Sequence, residues 1–229
     1  MVINLNNLDI TEITDTKYLF GACHELASID LSRFNTSKVV DMSTMFGGCI
    51  GLRSLDLSNF DTSSVKYMAN MFFGCKGLEN INLSSFNTSL VEDTSRMFSN
   101  CVNLQNLDIH NFDTISVKKM QCMFSDCVRL KRLDLSSFRT KNVESMSEMF
   151  AGCSELEFLD ISNFDISYGV DLEDMFSGCS SLRHIKLPED VITRHKFMEQ
   201  LSINGINCEI VQFGLDRRGR GRRKNGYRF

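Results

Sequence analysis

A cysteine stands at Cys23, Cys49, Cys75, Cys101, Cys127, Cys153 and Cys179, each 26 residues after the one before. An unbroken period over seven copies means that one supersecondary unit has been stacked, the mark of a solenoid. Such a unit cannot bury its apolar face alone. Stability therefore comes from neighbouring copies, and function from the extended surface they share. Other columns keep the same step. Phenylalanine recurs at Phe34, Phe60, Phe86, Phe112, Phe138 and Phe164, leucine from Leu26 to Leu182, and a Met-Phe pair from Met45-Phe46 to Met175-Phe176. Agreement of that many columns excludes coincidence.

Within the unit Leu55 to Asn80, strict alternation comes first: Leu55 inward, Asp56 outward, Leu57 inward, Ser58 outward. It predicts a short, half-buried strand. The first inward position runs Ile3, Ile29, Leu55, Ile81, Leu107, Leu133, Leu159 and Ile185, and one further step reaches Val211, with Phe213 as its companion. Nine parallel strands in one continuous sheet are expected, because each return is too long for a hairpin. In the return, Val65, Met68, Met71, Phe72 and Cys75 fall on one face of a short helix. Thr36, Thr62, Thr88, Thr114 and Thr140 sit where helix N-caps belong. Gly47-Gly48, Gly74, Gly152 and Gly178 sit where those helices end. The fold class that follows is α/β, with strands on one face, short helices on the other, and Phe and Met filling the space between.

No junction interrupts the period, so the chain divides by its ends. Residues 1–22 form an N-terminal capping repeat, 23–187 the 26-residue repeats, 188–216 a C-terminal cap, and 217–229 a basic tail. The C-terminal cap contains a predicted helix from Asp190 to Ser202, a turn at Asn204-Gly205, and a last strand in Ile210-Val211-Gln212-Phe213. Val191, Ile192, His195 and Met198 to Leu201 are expected to cover the open end of the core. No apolar run approaches the ~18–20 residues of a membrane span. Met1-Val2-Ile3-Asn4-Leu5 lacks the basic start and apolar core of a signal peptide, so an intracellular protein is favoured.

The string Leu55-Asp56-Leu57-Ser58-Asn59-Phe60-Asp61-Thr62-Ser63-Ser64-Val65, followed by Met68, Met71-Phe72, Gly74-Cys75 and Leu78, resembles the BspA-like leucine-rich repeats of bacterial surface proteins and mycoplasma lipoproteins. The likeness extends over residues 23–187. It implies a leucine-rich-repeat-like right-handed solenoid and non-enzymatic adhesion or protein binding, often at a cell surface. It brings no catalytic residues with it.

Equivalent residues in adjacent coils lie about 4.8–5 Å apart, but their parallel Cβ vectors do not suit disulfides. The cysteine column is therefore read as small buried core groups. It lacks the short paired spacing of zinc sites. Cys122 and Cys208 fall outside the column and are the expected reactive thiols, and a reducing compartment follows. Outward, beside the leucines, stand Asp30, Asp56, Asn82, Asp108, Asp134 and Asp160, then Lys186. Stacked carboxylates repel and raise one another's pKa unless a cation or basic partner neutralises them. The five aspartates thus form a candidate stripe for a basic protein surface or divalent cations. The alternative is that aspartate here serves the repeat's own hydrogen bonding. Arg132, Phe158, His110 and His184 vary along this face, and Phe158 is the candidate apolar anchor for a protein partner.

The tail carries Arg217, Arg218, Arg220, Arg222, Arg223, Lys224 and Arg228 with no acidic residue. Taking these seven from 25 basic residues leaves 18 against 29 acidic, a net charge of −11 for residues 1–216. A Gly- and Arg-rich segment cannot bury a core and is expected to be disordered when unbound. Its candidate partners are nucleic acid, through a salt-sensitive phosphate term, or an acidic protein. Enzyme readings fail, because His24, His110, His184 and His195 have no metal spacing and no P-loop, dinucleotide fingerprint or nucleophile elbow is present. No cofactor is expected. The leading expectation is a protein-binding or structural module whose tail tethers it to an anionic partner. A nucleic-acid-associated protein and a surface adhesin are the alternatives.

Overall fold

The computed structural model describes the backbone of residues 2–3, 12–166, 169–215 and 221–224, and the side chains of 12–166 and 169–211. The elements are β1 (Val2–Ile3), β2 (Ser28–Ile29), β3 (Ser54–Asp56), β4 (Asn80–Asn82), β5 (Arg132–Asp134), β6 (Phe158–Asp160), β7 (His184–Lys186), α1 (Val191–Ile203), β8 (Glu209–Ile210), β9 (Gln212–Leu215) and β10 (Gly221–Lys224). The strands are mostly parallel, with one helix among the described residues. Ile3 lies opposite Ile29, Leu55 opposite Ile81, and Leu133, Leu159 and Ile185 follow one another in register. The inward leucines and isoleucines are therefore columns in space.

The expected continuous sheet is instead three parallel patches of two, two and four strands. Around Leu107 no strand forms, although Leu107 still packs against the core. Strands of two or three residues hold few ladder bonds, so the backbone does not enforce regularity on this side.

The returns are not helices. A second parallel ladder runs through Asp15, Asp41, Tyr67, Asp93, Lys119, Ser145 and Asp171. Beyond it, the N–H groups alternate between two targets. Thr44, Phe46 and Gly48 donate to Ala69, Met71 and Phe73 of the next coil, while Met45, Gly47 and Cys49 close turns onto Met42, Thr44 and Phe46. Thr44 and Gly48 lie at φ 58° and 77°, and their equivalents Asn70 and Gly74 lie at 58° and 66°. Left-handed residues four apart fold the chain into consecutive tight turns and cannot continue a right-handed helix. The resulting ribbon turns the same Met, Phe and Cys inward as a helix would, which is why spacing alone misleads.

The threonines expected as N-caps bridge coils instead, since there is no helix for them to cap. Thr62 Oγ1 donates to the Asn87 carbonyl at 2.9 Å and accepts the Asn87 N–H at 2.8 Å. Thr114 with Arg139 and Thr140 with Asp165 repeat both bonds. Two phenylalanine stacks thread the core. Phe46, Phe72, Phe98, Phe124, Phe150 and Phe176 stack at 5.4–5.9 Å between centroids. Phe34, Phe60, Phe86 and Phe112 do so at 5.9–6.5 Å. Both lie within the favourable range for offset rings.

The stack ends at α1. Asp190 caps it, accepting the Thr193 N–H at 2.7 Å. Thr193, Phe197 and Leu201 face the core, and Phe197 meets Phe164 edge-on at 6.1 Å. Val191 and Ile192, expected over the core, are 78% and 71% exposed. The i, i+4, i+8 stripe centred on Phe197 sets the buried face, leaving those two on the outside. Asn204 Oδ1 accepts the Phe176 N–H at 3.1 Å, replacing the carbonyl that a further turn ribbon would supply. In β8 it is Ile210 that pairs opposite Ile185, so the step shortens to 25 and the expected pairing of Val211 is off by one. The helix has replaced the turn ribbon that keeps the longer period. Phe213 belongs to β9, which pairs antiparallel with β10 and adds no parallel rung.

Candidate functional site

The aspartate column is a hydrogen-bonded motif repeated coil by coil. Oδ1 of Asp30, Asp56, Asp134 and Asp160 accepts the N–H of the serine two residues on, at 3.0, 3.0, 3.0 and 3.1 Å. Asp108 uses His110 instead, taking its N–H at 3.3 Å and lying 2.6 Å from its Nδ1. These bonds favour the charged form. The Ser32 and Ser58 N–H groups hold Asp30 and Asp56 below the usual carboxylate range, and the His110 ring does the same for Asp108. Burial pushes Asp134 upward, yet the Ser136 bonds outweigh it and the net direction is down. Mutual repulsion was expected to raise these groups. Asp30, Asp56, Asp108 and Asp134 are lowered instead, because each of these carboxylates has its own local donors.

The same turn recurs at two further corners that the sequence reading missed. Asp61 and Asn87 accept from Ser63 and Ser89, and Asp41 and Asp93 accept from Ser43 and Ser95. The signal was present as Asx-x-Ser triplets repeated through each unit. A further unread column is Asn59, Ser85 and Asn111, whose side chains donate to the carbonyls of the preceding coil.

The four-stranded patch differs from the rest of the outward face. Parallel register sets Arg132, Phe158 and His184 in one row and Asp134, Asp160 and Lys186 in the next. The Arg132 guanidinium lies 4.4 Å from the Phe158 ring centroid and Lys186 Nζ lies 5.6 Å from it, both within cation–π range. Lys186 Nζ also reaches Asp160 Oδ2 at 2.6 Å, and that carboxylate is only 2% exposed. His184 Nε2 faces Glu209 Oε2 at 3.4 Å. Phe158 is thus half-buried under two cations rather than freely exposed. Neighbouring strands place long basic side chains within reach of the ring. The arrangement is a braced aromatic surface edged by a guanidinium and an ammonium.

The column cysteines from Cys49 to Cys179 are buried, Cys23 is half-buried, and none is paired by disulfide. Sγ of Cys49, Cys75, Cys101, Cys127, Cys153 and Cys179 donates to the phenylalanine carbonyl of the preceding coil at 3.1–3.2 Å. Burial pushes the Cys49 thiol up to about 11 and Cys179 up to about 12. Cys122 and Cys208, expected to be reactive, are each only 7% exposed. Cys122 sits at a left-handed position of the turn ribbon, and Cys208 beneath α1, where burial pushes it up to about 11. A shielded thiol is a poor nucleophile. Among the described residues no group of three or more His, Cys, Asp or Glu could hold a metal ion. No described helix is long and apolar enough to cross a membrane.

Of the basic tail, Arg222, Arg223 and Lys224 lie in β10, where the composition suggests disorder. Arg217, Arg218, Arg220 and Arg228 lie outside the described residues.

These features define a repeat protein of mostly parallel short strands with coil-to-coil columns. The chain belongs to the family described as "Mycoplasma protein of unknown function, DUF285", whose model matches residues 1–106 and, overlapping them, 74–188. No curated protein matches the chain.

Proposed function

We propose that the chain is a leucine-rich-repeat-like, right-handed solenoid of BspA-like type, and that it is a non-enzymatic module binding a protein partner through the outward face of β5–β8. The observation that carries this reading is Phe158 held between Arg132 and Lys186 over the buried Asp160. The inward columns repeat nearly unchanged. The outward row, in contrast, runs Ser28, Ser54, Asn80 and Asn106 before changing to Arg132, Phe158 and His184. Aromatic and arginine side chains dominate binding hot spots. Side chains already held in place lose little entropy on association.

The test compares capture from native lysate by the parent, an Arg132→Ala/Phe158→Ala variant and a Ser54→Ala/Asn80→Ala variant. Selective loss in the first variant is expected. Identical capture by all three would overturn the assignment of this face.

A second reading places nucleic-acid affinity in the basic tail. What supports it is the net charge of −11 on residues 1–216 against seven cations in 217–229. Removing 217–229 would abolish salt-dependent RNA or DNA retention while protein capture persists. Retention unchanged by the deletion eliminates this reading.

A further inference from the structure

The described structure leaves an apolar groove of about 690 Å³ beside α1, outside the face proposed above. Met198, Leu201 and Ile203 line it from the helix, and Ile206, Cys208 and Ile210 from the segment that follows. His195 and Glu199 also line it. Ile203 is 65% exposed, an unusual setting for a large aliphatic side chain. Clefts of about 300–1,000 Å³ take a few side chains or a small ligand. A stable dimer needs about 800 Å² from each partner, so the groove suits a short segment better than a second copy.

The chain itself brings such a segment to the groove. β10 runs antiparallel to β9 and places Lys224 opposite Gln212. Gln212 is two residues from Ile210, which lines the groove. Cα atoms paired across antiparallel strands lie about 4.5–5.5 Å apart, and two extended residues add about 7 Å. The direction of β10 along β9 therefore points from Lys224 toward Ile210, about 12 Å away by these spacings. The next five residues are Asn225, Gly226, Tyr227, Arg228 and Phe229, and five extended residues reach up to about 17 Å. In an extended run Tyr227 and Phe229 share one face, with Arg228 on the other. Tyr-x-Phe occurs once more, at Tyr18-Leu19-Phe20, where Phe20 is already buried in the core at the other end of the chain.

We propose that residues 225–229 dock in the groove beside α1, with Tyr227 and Phe229 covering Ile203, Ile206 and Ile210. The segment acts as an intramolecular plug that also holds the β9–β10 hairpin, and with it Arg222, Arg223 and Lys224, against this end of the molecule. The proposal does not depend on any binding role of the β5–β8 face.

The chain contains no Trp, so a Phe229→Trp variant carries a single indole reporter. In the full chain its emission should lie to the blue of a solvated indole. Its quenching by iodide should be about tenfold weaker than that of the free indole, the ratio that a docking preference of about 1.4 kcal/mol gives. Adding Ile203→Asp, at an exposed position that does not disturb the core, should restore solvent-like emission and full quenching. Met198→Ala should act in the same direction and guards against a local effect of the new charge. Solvent-like emission in the Phe229→Trp parent overturns the proposal. So does protection that neither groove substitution relieves, which would place the segment elsewhere. Protection that appears only as protein concentration rises would assign the groove to a second copy and overturn it as well.

Discussion

The two long sides of each coil solve the same stacking problem differently. On the turn side, bridges run unbroken from Asp15 to Asp171, alternate N–H groups bond to the next coil, and the column thiols from Cys49 to Cys179 donate to phenylalanine carbonyls. On the strand side the pairing splits into separate patches and lapses around Leu107. Cohesion is concentrated where the backbone bonds are dense. The looser side has correspondingly greater freedom to vary its outward residues, and it is there that Arg132, Phe158 and Lys186 gather.

The largest expected contrast between the sides comes from core truncation. Phe98 is fully buried and stacked on both neighbours, and Phe98→Ala should cost about 3–5 kcal/mol. Leu107→Ala, at a half-buried position, should cost about 1–2 kcal/mol. Urea unfolding of both variants measures the gap, and equal losses would remove the distinction. Next in size is Asp160, the one strongly buried charge on the strand side among the described residues. Lys186→Met strands the Asp160 carboxylate and should cost about 3 kcal/mol, whereas adding Asp160→Asn should recover most of it. A double-mutant cycle by chemical denaturation reads that coupling.

Thr114→Val comes third. It removes a donor to the Arg139 carbonyl and an acceptor of the Arg139 N–H, and leaving buried polar groups unpaired costs about 1–3 kcal/mol. The smallest effect is on pH. Asp30 and Asp56 are lowered by the Ser32 and Ser58 N–H groups. Their contribution is present above the ordinary value of 3.8 and is lost as pH falls through the lower folded values. Thermal melts should show a shallow acid decline, diminished in an Asp30→Ser/Asp56→Ser variant.

The coil register was legible because every inward column, from Cys23 to Cys179 or Phe34 to Phe164, advances by the same step as its neighbours. The conformation of the return was not. Val65, Met68, Met71 and Phe72 face inward in a helix and in a turn ribbon alike, and only left-handed positions such as Thr44, Asn70 and Cys122 distinguish them. Nothing about Thr or Cys as residue types signals positive φ. The last coil escaped for a related reason: the periodic rule ends where α1 replaces the ribbon, so Ile210 rather than Val211 takes the inward place. At the candidate site, Phe158 was visible as an unusual outward aromatic. Its cover was not, since Arg132 and Lys186 become its neighbours only through register. The aspartates were visible as a column, while the turn bonds that lower Asp30, Asp56, Asp108 and Asp134 were not.

Removing whole coils tests the stacking register most directly. Deleting residues 80–105 joins Glu79 to Asn106 and keeps every column aligned, whereas deleting residues 80–92 would set strand positions against turn positions. The expected result is a cooperative unfolding transition and parent-like circular dichroism for the first deletion, and loss of both for the second. Two deletions that fold equally well, or a full-coil deletion that fails while the half-coil deletion folds, would contradict coils held in step along both sides.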